Sequence, residues 1–157
     1  MTIEEILHDA DLALADAGDS DPARRLAAIT RFMRAFEDAA KEIAITKNDW
    51  DTVRSWARTV VDRVLAVRAA VGAWEIEMGQ LFFSATRDER DAEAALDRRS
   101  QHAFAREAFR DTPVDTLFAD AEDAEVDQDF HHAAVLLALD KPSYAPASHT
   151  WWRQPGE

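Results

Sequence analysis

Residues 49–84, DWDTVRSWARTVVDRVLAVRAAVGAWEIEMGQLFFS, carry the pattern that decides the fold. Trp50, Val53, Ala57, Val60, Val64, Val67, Val71, Trp74, Met78 and Leu81 follow one another at alternating spacings of three and four. That repeat matches the 3.6-residue period of an α-helix and puts every member on one stripe, whereas a strand would alternate every second residue. The stretch therefore predicts a helix over residues 49–84, about 50 Å long if continuous, with Asn48 as its cap and Gly72 and Gly79 as possible bends. Its many β-branched valines have modest helix propensity, so packing along the stripe must stabilise it.

On the N-terminal side of this stretch, Asp21 followed by Pro22 has the composition of a helix start. Leu26, Ile29, Met33, Phe36, Ala40 and Ile43 continue it as a second amphipathic helix over 22–46. The short connection near Lys47 predicts that these two helices lie antiparallel, seam against seam. Further upstream, Thr2 with Glu5 reads as a capping box opening a helix over 3–17, with Gly18 as its stop. On the C-terminal side, Thr86 with Glu89 reads as another box, opening a more polar helix to about residue 110. Thr112, Pro113 and Asp115 start a short fifth helix carrying Val114, Leu117 and Phe118. A sixth, over 125–139, is expected to bury Val126, Phe130, Ala133, Ala134 and Leu137. Beyond Asp140 the periodicity stops, and Pro142, Pro146 and Pro155 exclude a continuing helix.

The expected fold class is accordingly all-α: a helical bundle built on a long antiparallel helical hairpin (about 22–46 and 49–84), with shorter flanking helices and an irregular C-terminal tail. One helical domain is expected over residues 1–140. The tail, 141–157, carries Tyr144, Trp151 and Trp152 and is expected to be ordered on that domain or on a partner, because two adjacent free indoles would expose a large apolar area.

Composition supports a packed core. Of 157 residues, 47% are apolar, with five Trp and eight Phe, which is too hydrophobic for disorder despite a net charge of −13. No cysteine is present, so disulfides and thiolate metal sites are excluded. Residues 1–21 hold neither a base nor a continuous apolar run, and no segment approaches the 18 or so apolar residues of a membrane span, so the expected location is cytoplasmic. Only three of 18 basic residues are Lys, a bias that fits a GC-rich genome or its phage.

The charge is segregated. Residues 1–23 hold seven acids and no base, 24–110 hold 14 acids against 16 bases, and 111–140 hold nine acids and no base. Two acidic elements thus bracket an Arg-bearing centre, including Arg54, Arg58, Arg63 and Arg68, whose nearest counter-charges are expected to be the acids of the first or sixth helix. Bare nucleic acid and anionic membranes are disfavoured as partners, since phosphate neutralisation needs clustered Lys and Arg.

Motifs for catalysis are thin. Glu5 with His8, and more loosely Asp129 with His132, have the spacing that puts two metal ligands on one helix face, yet a dinuclear site would want further inward-facing Glu, for which Glu37, Glu42, Glu75 and Glu77 are the central candidates. No serine sits in a nucleophile-elbow context, and four glycines are too few for a phosphate-cradling loop. Arg98 to His102 superficially resembles the basic-and-His motif of helical ribonucleases but is one residue short. Among the acids of 120–129, Glu122 and Glu125 stand at Glu-x-x-Glu spacing, but no matching second pair on a neighbouring helix completes a magnesium site. No catalytic, cofactor or metal residue is assigned.

Binding is therefore favoured over catalysis. The expected function is that of a non-catalytic protein-protein interaction protein: an adaptor, inhibitor or subunit of a larger, phage-related assembly. It would recognise a protein partner, basic in character, through Asp115, Asp120, Glu122, Asp123, Glu125, Asp127, Asp129, Trp151 and Trp152. Self-association through the long helix or the tail is a second route. The alternatives are an acidic nucleic-acid mimic that inhibits a DNA- or RNA-binding protein, and a helical metal-dependent enzyme using carboxylate and His ligands.

Overall fold

The computed structural model describes residues 1–84 and 89–157, with side chains described for 1–81 and 90–157. Over these residues the chain forms seven helices: α1 (Ile3–Asp16), α2 (Pro22–Thr46), α3 (Asp51–Ala66), α4 (Arg68–Ser84), α5 (Glu89–Ala108), α6 (Pro113–Ala119) and α7 (Ala124–Leu136). The Thr86–Glu89 capping box lies outside the described residues.

The starts of α1 and α2 follow the sequence. Thr2 Oγ1 accepts the Glu5 N–H at 3.2 Å, and Asp21 Oδ1 accepts the Ala23 N–H at 3.1 Å with Pro22 in the first turn. Gly18, by contrast, does not serve as a left-handed stop; α1 ends at Ala17 in right-handed geometry. It is Lys47, at φ 56°, that closes α2. Asn48 does not cap α3 either. Its amide donates to Thr46, and Asp49 Oδ1 accepts the Asp51 N–H at 3.0 Å instead.

The helix expected over 49–84 is two helices, broken at Val67 (φ −110°, ψ 22°) rather than at either glycine. All ten members of the repeat are nevertheless buried or half-buried, with Val64 and Val71 fully inside on either side of the break. A 3-4 repeat records which face is buried; it does not guarantee a continuous axis. Of the stretch expected to pair with α2, the second half, α4, packs on it, as do α5 and α1. α2 packs most extensively on α1, where Ala10, Ala13, Ala17, Ala28, Ala35 and Ala39 are all buried and small side chains let the two backbones approach. α3 meets α2 chiefly through Trp56, whose ring lies 6.3 and 6.2 Å from Phe32 and Phe36.

The polar helix α5 is the hub. It packs on α2, α3, α4, α6 and α7, and buries Arg99, Ser100, Gln101 and His102 along with Ala95, Leu96, Phe104 and Ala108. Its thin apolar pattern reflects burial on several sides with its charges neutralised by neighbours. A large core gathers α1 to α6 around Phe32, Phe36, Trp74, Phe109 and Phe118. A second, smaller cluster holds Met78, Leu96, Phe130, Ala134, Leu139, Trp151 and Trp152, and seats α7 and the tail on α4 and α5.

α7 is shorter than expected: Leu137 terminates it, Ala138 at φ 56° turns the chain, and the Leu139 N–H returns to Ala134 O at 2.8 Å. Val126, expected inside, is 40% exposed. The tail then crosses the domain and comes back beside its own start, where Lys141 N–H donates to Arg153 O at 2.9 Å and Arg153 N–H to Leu139 O at 3.0 Å. No described helix is long and apolar enough to cross a membrane.

Candidate functional site

Three residues of α5, Arg99, His102 and Arg106, stand at spacings of three and four and so share one stripe. That stripe recruits the C-terminal acidic segment. Arg99 Nε and Nη2 donate to Asp127 Oδ1 and Oδ2 at 2.7 and 2.9 Å, a bidentate pair, and Arg106 donates to Asp115 at 2.9 Å and to Glu122 Oε2 at 2.7 Å. His102, fully buried between them, has Glu75 Oε1 at 3.3 Å from Nε2 and Glu122 Oε1 at 3.3 Å from Nδ1, the latter outside hydrogen-bond alignment. Its ring is nearly parallel to Trp74 and edge-on to Phe118, 5.0 Å away.

Electrostatics follows from this geometry. Burial would lower the His102 pKa, but the carboxylates of Glu122 and Glu75 outweigh it and raise the pKa overall. Burial also pushes Glu122 upward, yet His102, Arg99 and Arg106 hold it down at about 2. The cluster is thus a closed ionic network, with charges placed opposite one another inside the protein. Such networks add little net stability for their desolvation cost, but breaking one member leaves a buried charge uncompensated.

The tail docks on the residue next to Arg99. Trp151 Nε1 and Trp152 Nε1 both donate to Ser100 Oγ, at 2.9 and 2.7 Å, and each indole is 97% buried. The Arg99 guanidinium lies 3.9 Å from the centre of the Trp151 ring, a cation–π contact. His131 fastens α7 to the tail, with Nδ1 at 2.9 Å from Trp152 O and Nε2 at 2.9 Å from Glu157. His132, one residue on, is exposed.

The residues expected to bind a partner therefore divide. Asp115, Glu122 and Asp127 point inward to Arg106 and Arg99, Asp123 caps α7 by accepting the Glu125 N–H at 2.8 Å, and Trp151 and Trp152 face the second core cluster. Asp120, Glu125 and Asp129 are exposed, and no ion pair among the described residues engages them. Glu125, Asp129, His132 and Leu136 follow at spacings of four, three and four along the outer face of α7, flanked by exposed Val126 and Val135. Leu136 is 76% exposed.

The N-terminal acids are likewise partly internal. Asp9 accepts from Arg31 at 3.1 Å, and Asp11 pairs with Arg63 of α3. Arg54 turns to Glu107 of α5, while Arg58 and Arg68 stay exposed. The expectation that α1 supplies counter-charge to α3 holds for Arg63. The acids of 111–140, however, meet α5, whose Arg99–His102–Arg106 stripe was the signal in the sequence. Glu5 and His8 are exposed on α1, and no group of three or more metal-ligating side chains is assembled among the described residues.

A scan against protein-family models and searches of curated proteins and of solved structures found no match to this chain.

Proposed function

We propose that this is a protein-binding protein whose docking element is the outer face of α7, and that it takes a basic, amphipathic helix of a partner. The observation that carries the reading is the coincidence on that face of carboxylates left without internal partners, Glu125 and Asp129, with the exposed apolar side chains Val126, Val135 and Leu136. Scattered surface apolars are ordinary; an acidic row that ends in an exposed leucine and has an exposed valine on either flank is complementary to an amphipathic helix of opposite charge. In this reading Trp151 and Trp152 serve the interface from beneath, by fixing the platform on which α7 sits.

A nucleic-acid mimic draws less support, because Asp115, Glu122 and Asp127 are consumed by arginines and do not extend the outer row. The metal-enzyme reading draws less again, since Glu5, His8 and His132 stand exposed and unassembled.

The test uses a synthetic Lys/Leu amphipathic helical peptide, read by fluorescence anisotropy. The native chain is expected to bind it with an affinity that falls with salt, and the double substitution Glu125→Lys, Asp129→Lys to weaken binding at least about tenfold. Leu136→Ser should weaken it with unchanged thermal stability. Equal affinity of the native and charge-reversed proteins would overturn the proposal.

A further inference from the structure

Arg99 and His102 stand one turn apart on α5 and reach the same side of it, where Glu122 arrives from the turn between α6 and α7. Each keeps a buried nitrogen without a hydrogen-bond partner among the described residues, Arg99 Nη1 and His102 Nδ1. Both nitrogens face the same oxygen. Glu122 Oε1 lies 3.3 Å from His102 Nδ1 and 3.6 Å from Arg99 Nη1, hydrogen-bonded to neither, while Oε2 is held by Arg106 at 2.7 Å. Buried donors are nearly always paired, so one acceptor between two open donors marks a bond with two alternative positions.

The proton of His102 decides between them. Its Nε2 is 3.3 Å from Glu75 Oε1, so each ring nitrogen looks at a carboxylate oxygen. An imidazolium donates in both directions, whereas a neutral ring has one N–H and turns a lone pair on one of the two carboxylates. The remaining N–H belongs with Glu75, which has His102 as its ion-pair partner, because Glu122 keeps Arg106 and has Arg99 within reach.

The charges around the ring are Glu75 from α4, Arg99 and Arg106 from its own helix, and Glu122 from the turn. One bond further out are Asp115 of α6 on Arg106 and Asp127 of α7 on Arg99. Trp74 and Phe118 pack on the ring, and Arg98 lies over Trp74. Glu75 and Glu122 keep 17% and 23% of their side-chain surface, so the buried imidazole reaches water through them.

We propose that Glu122 is a two-position switch worked by the His102 proton: with the imidazolium charged, Oε1 stays at His102 Nδ1, and when Nδ1 gives its proton to solvent the carboxylate turns to Arg99 Nη1. Arg99 also holds Asp127 and lies on the Trp151 ring, so the switch carries the protonation state of a core histidine to α7 and the tail. Burial lowers the His102 pKa, but Glu122 and Glu75 outweigh it and raise it overall, which sets the change on the alkaline side of 6.5.

The experiment is an NMR titration of the full chain between about pH 6 and 9, following His102 Cε1–Hε1 together with the guanidinium nitrogens of Arg99. His102 is expected to titrate above 6.5, with Arg99 Nη1 shifting at the same midpoint. His102→Gln, uncharged at every pH, should leave Arg99 without that transition. Asp97→Asn removes a second group of α5 that titrates in this range, and should leave the transition in place. Glu122→Gln keeps the shape of the side chain without its charge, and should lower the His102 midpoint by about one pH unit. An Arg99 signal that stays still while His102 titrates, a transition that survives in His102→Gln, or a His102 midpoint unmoved by Glu122→Gln would each overturn the assignment.

Discussion

A single hydroxyl on α5 organises the tail. Ser100 Oγ accepts from two indoles at once, using both of its lone pairs, in a place where neither N–H can reach water. Ser100→Ala removes no appreciable volume but orphans two buried donors, and is expected to destabilise the protein by about 1–3 kcal/mol per indole. The penalty arises from the donors left behind, so removing one of them should recover part of it. Trp152→Phe in the Ser100→Ala background is therefore expected to cost less than in the native background. Urea denaturation of the four proteins in this cycle measures the coupling, and strictly additive losses would contradict a shared hydroxyl. His102 obeys the same logic with charge in place of a donor: Glu75 and Glu122 are what make a buried imidazole able to hold a proton.

At the level of elements, what was legible in the sequence is the burial face of each helix, and what was not is how the faces are assigned to one another. The stripe from Trp50 to Leu81 is buried as read, yet it spans a break at Val67 that leaves the repeat in phase and so leaves no trace in spacing. The pairing of α2 with α1 rests on alanines, whose small side chains carry little weight in an apolar pattern but allow close approach. α5 reads as a polar helix because a helix buried on several sides shows no single apolar face. Its Arg99, His102 and Arg106 stripe looks solvent-facing until the acids of α6 and α7 are set against it. Of the candidate partner residues, sequence could not separate Asp127 from Glu125 and Asp129, since that depends on the rotation of α7 about its axis, nor place Glu122, which lies in the turn before it. Tail docking gives a prediction at this scale. A chain ending at Asp140 loses Trp151 and Trp152 from the second core cluster. With about 1.5–3 kcal/mol for each large apolar side chain buried, it should lose roughly 3–6 kcal/mol of stability. An unchanged urea midpoint would mean that the tail is held elsewhere than on α5.

For the whole molecule, four buried or half-buried titrating groups contribute to how stability depends on pH, and their signs can be combined. Glu122, held at about 2 against an ordinary 4.5, contributes stability that is complete above 4.5 and lost as pH falls toward 2. His102, raised above 6.5 in the fold, contributes stability complete below 6.5 and lost as pH rises through its folded value. His149 is lowered to about 3, first by burial and then by Arg99 and Lys141, so the unfolded chain takes up its proton first and stability is lost as pH falls from 6.5 to about 3. Asp97 is raised to about 7, by burial and then by the carboxylates of Glu37 and Glu93, so the folded chain keeps its proton longer and stability is lost as pH rises from 3.8 to about 7. Between pH 4.5 and 6.5 Glu122 and His102 are constant and the last two run with opposite slopes of about 1.4 kcal/mol per pH unit each, Asp38, raised by burial, acting in the direction of Asp97 from 3.8 upward. His149 and Asp97 cancel, and a plateau is expected there, falling on the acid side through Glu122 and His149 and on the alkaline side through His102 and Asp97. Removing either member of the cancelling pair should tilt the plateau in a definite direction. His149→Phe leaves Asp97 alone, so stability should fall with rising pH across the window. Asp97→Asn leaves His149 alone, so stability should rise. Urea denaturation at half-unit pH steps on the three proteins reads both slopes, and variants that keep the plateau flat would show that these two groups do not carry the pH dependence of the fold.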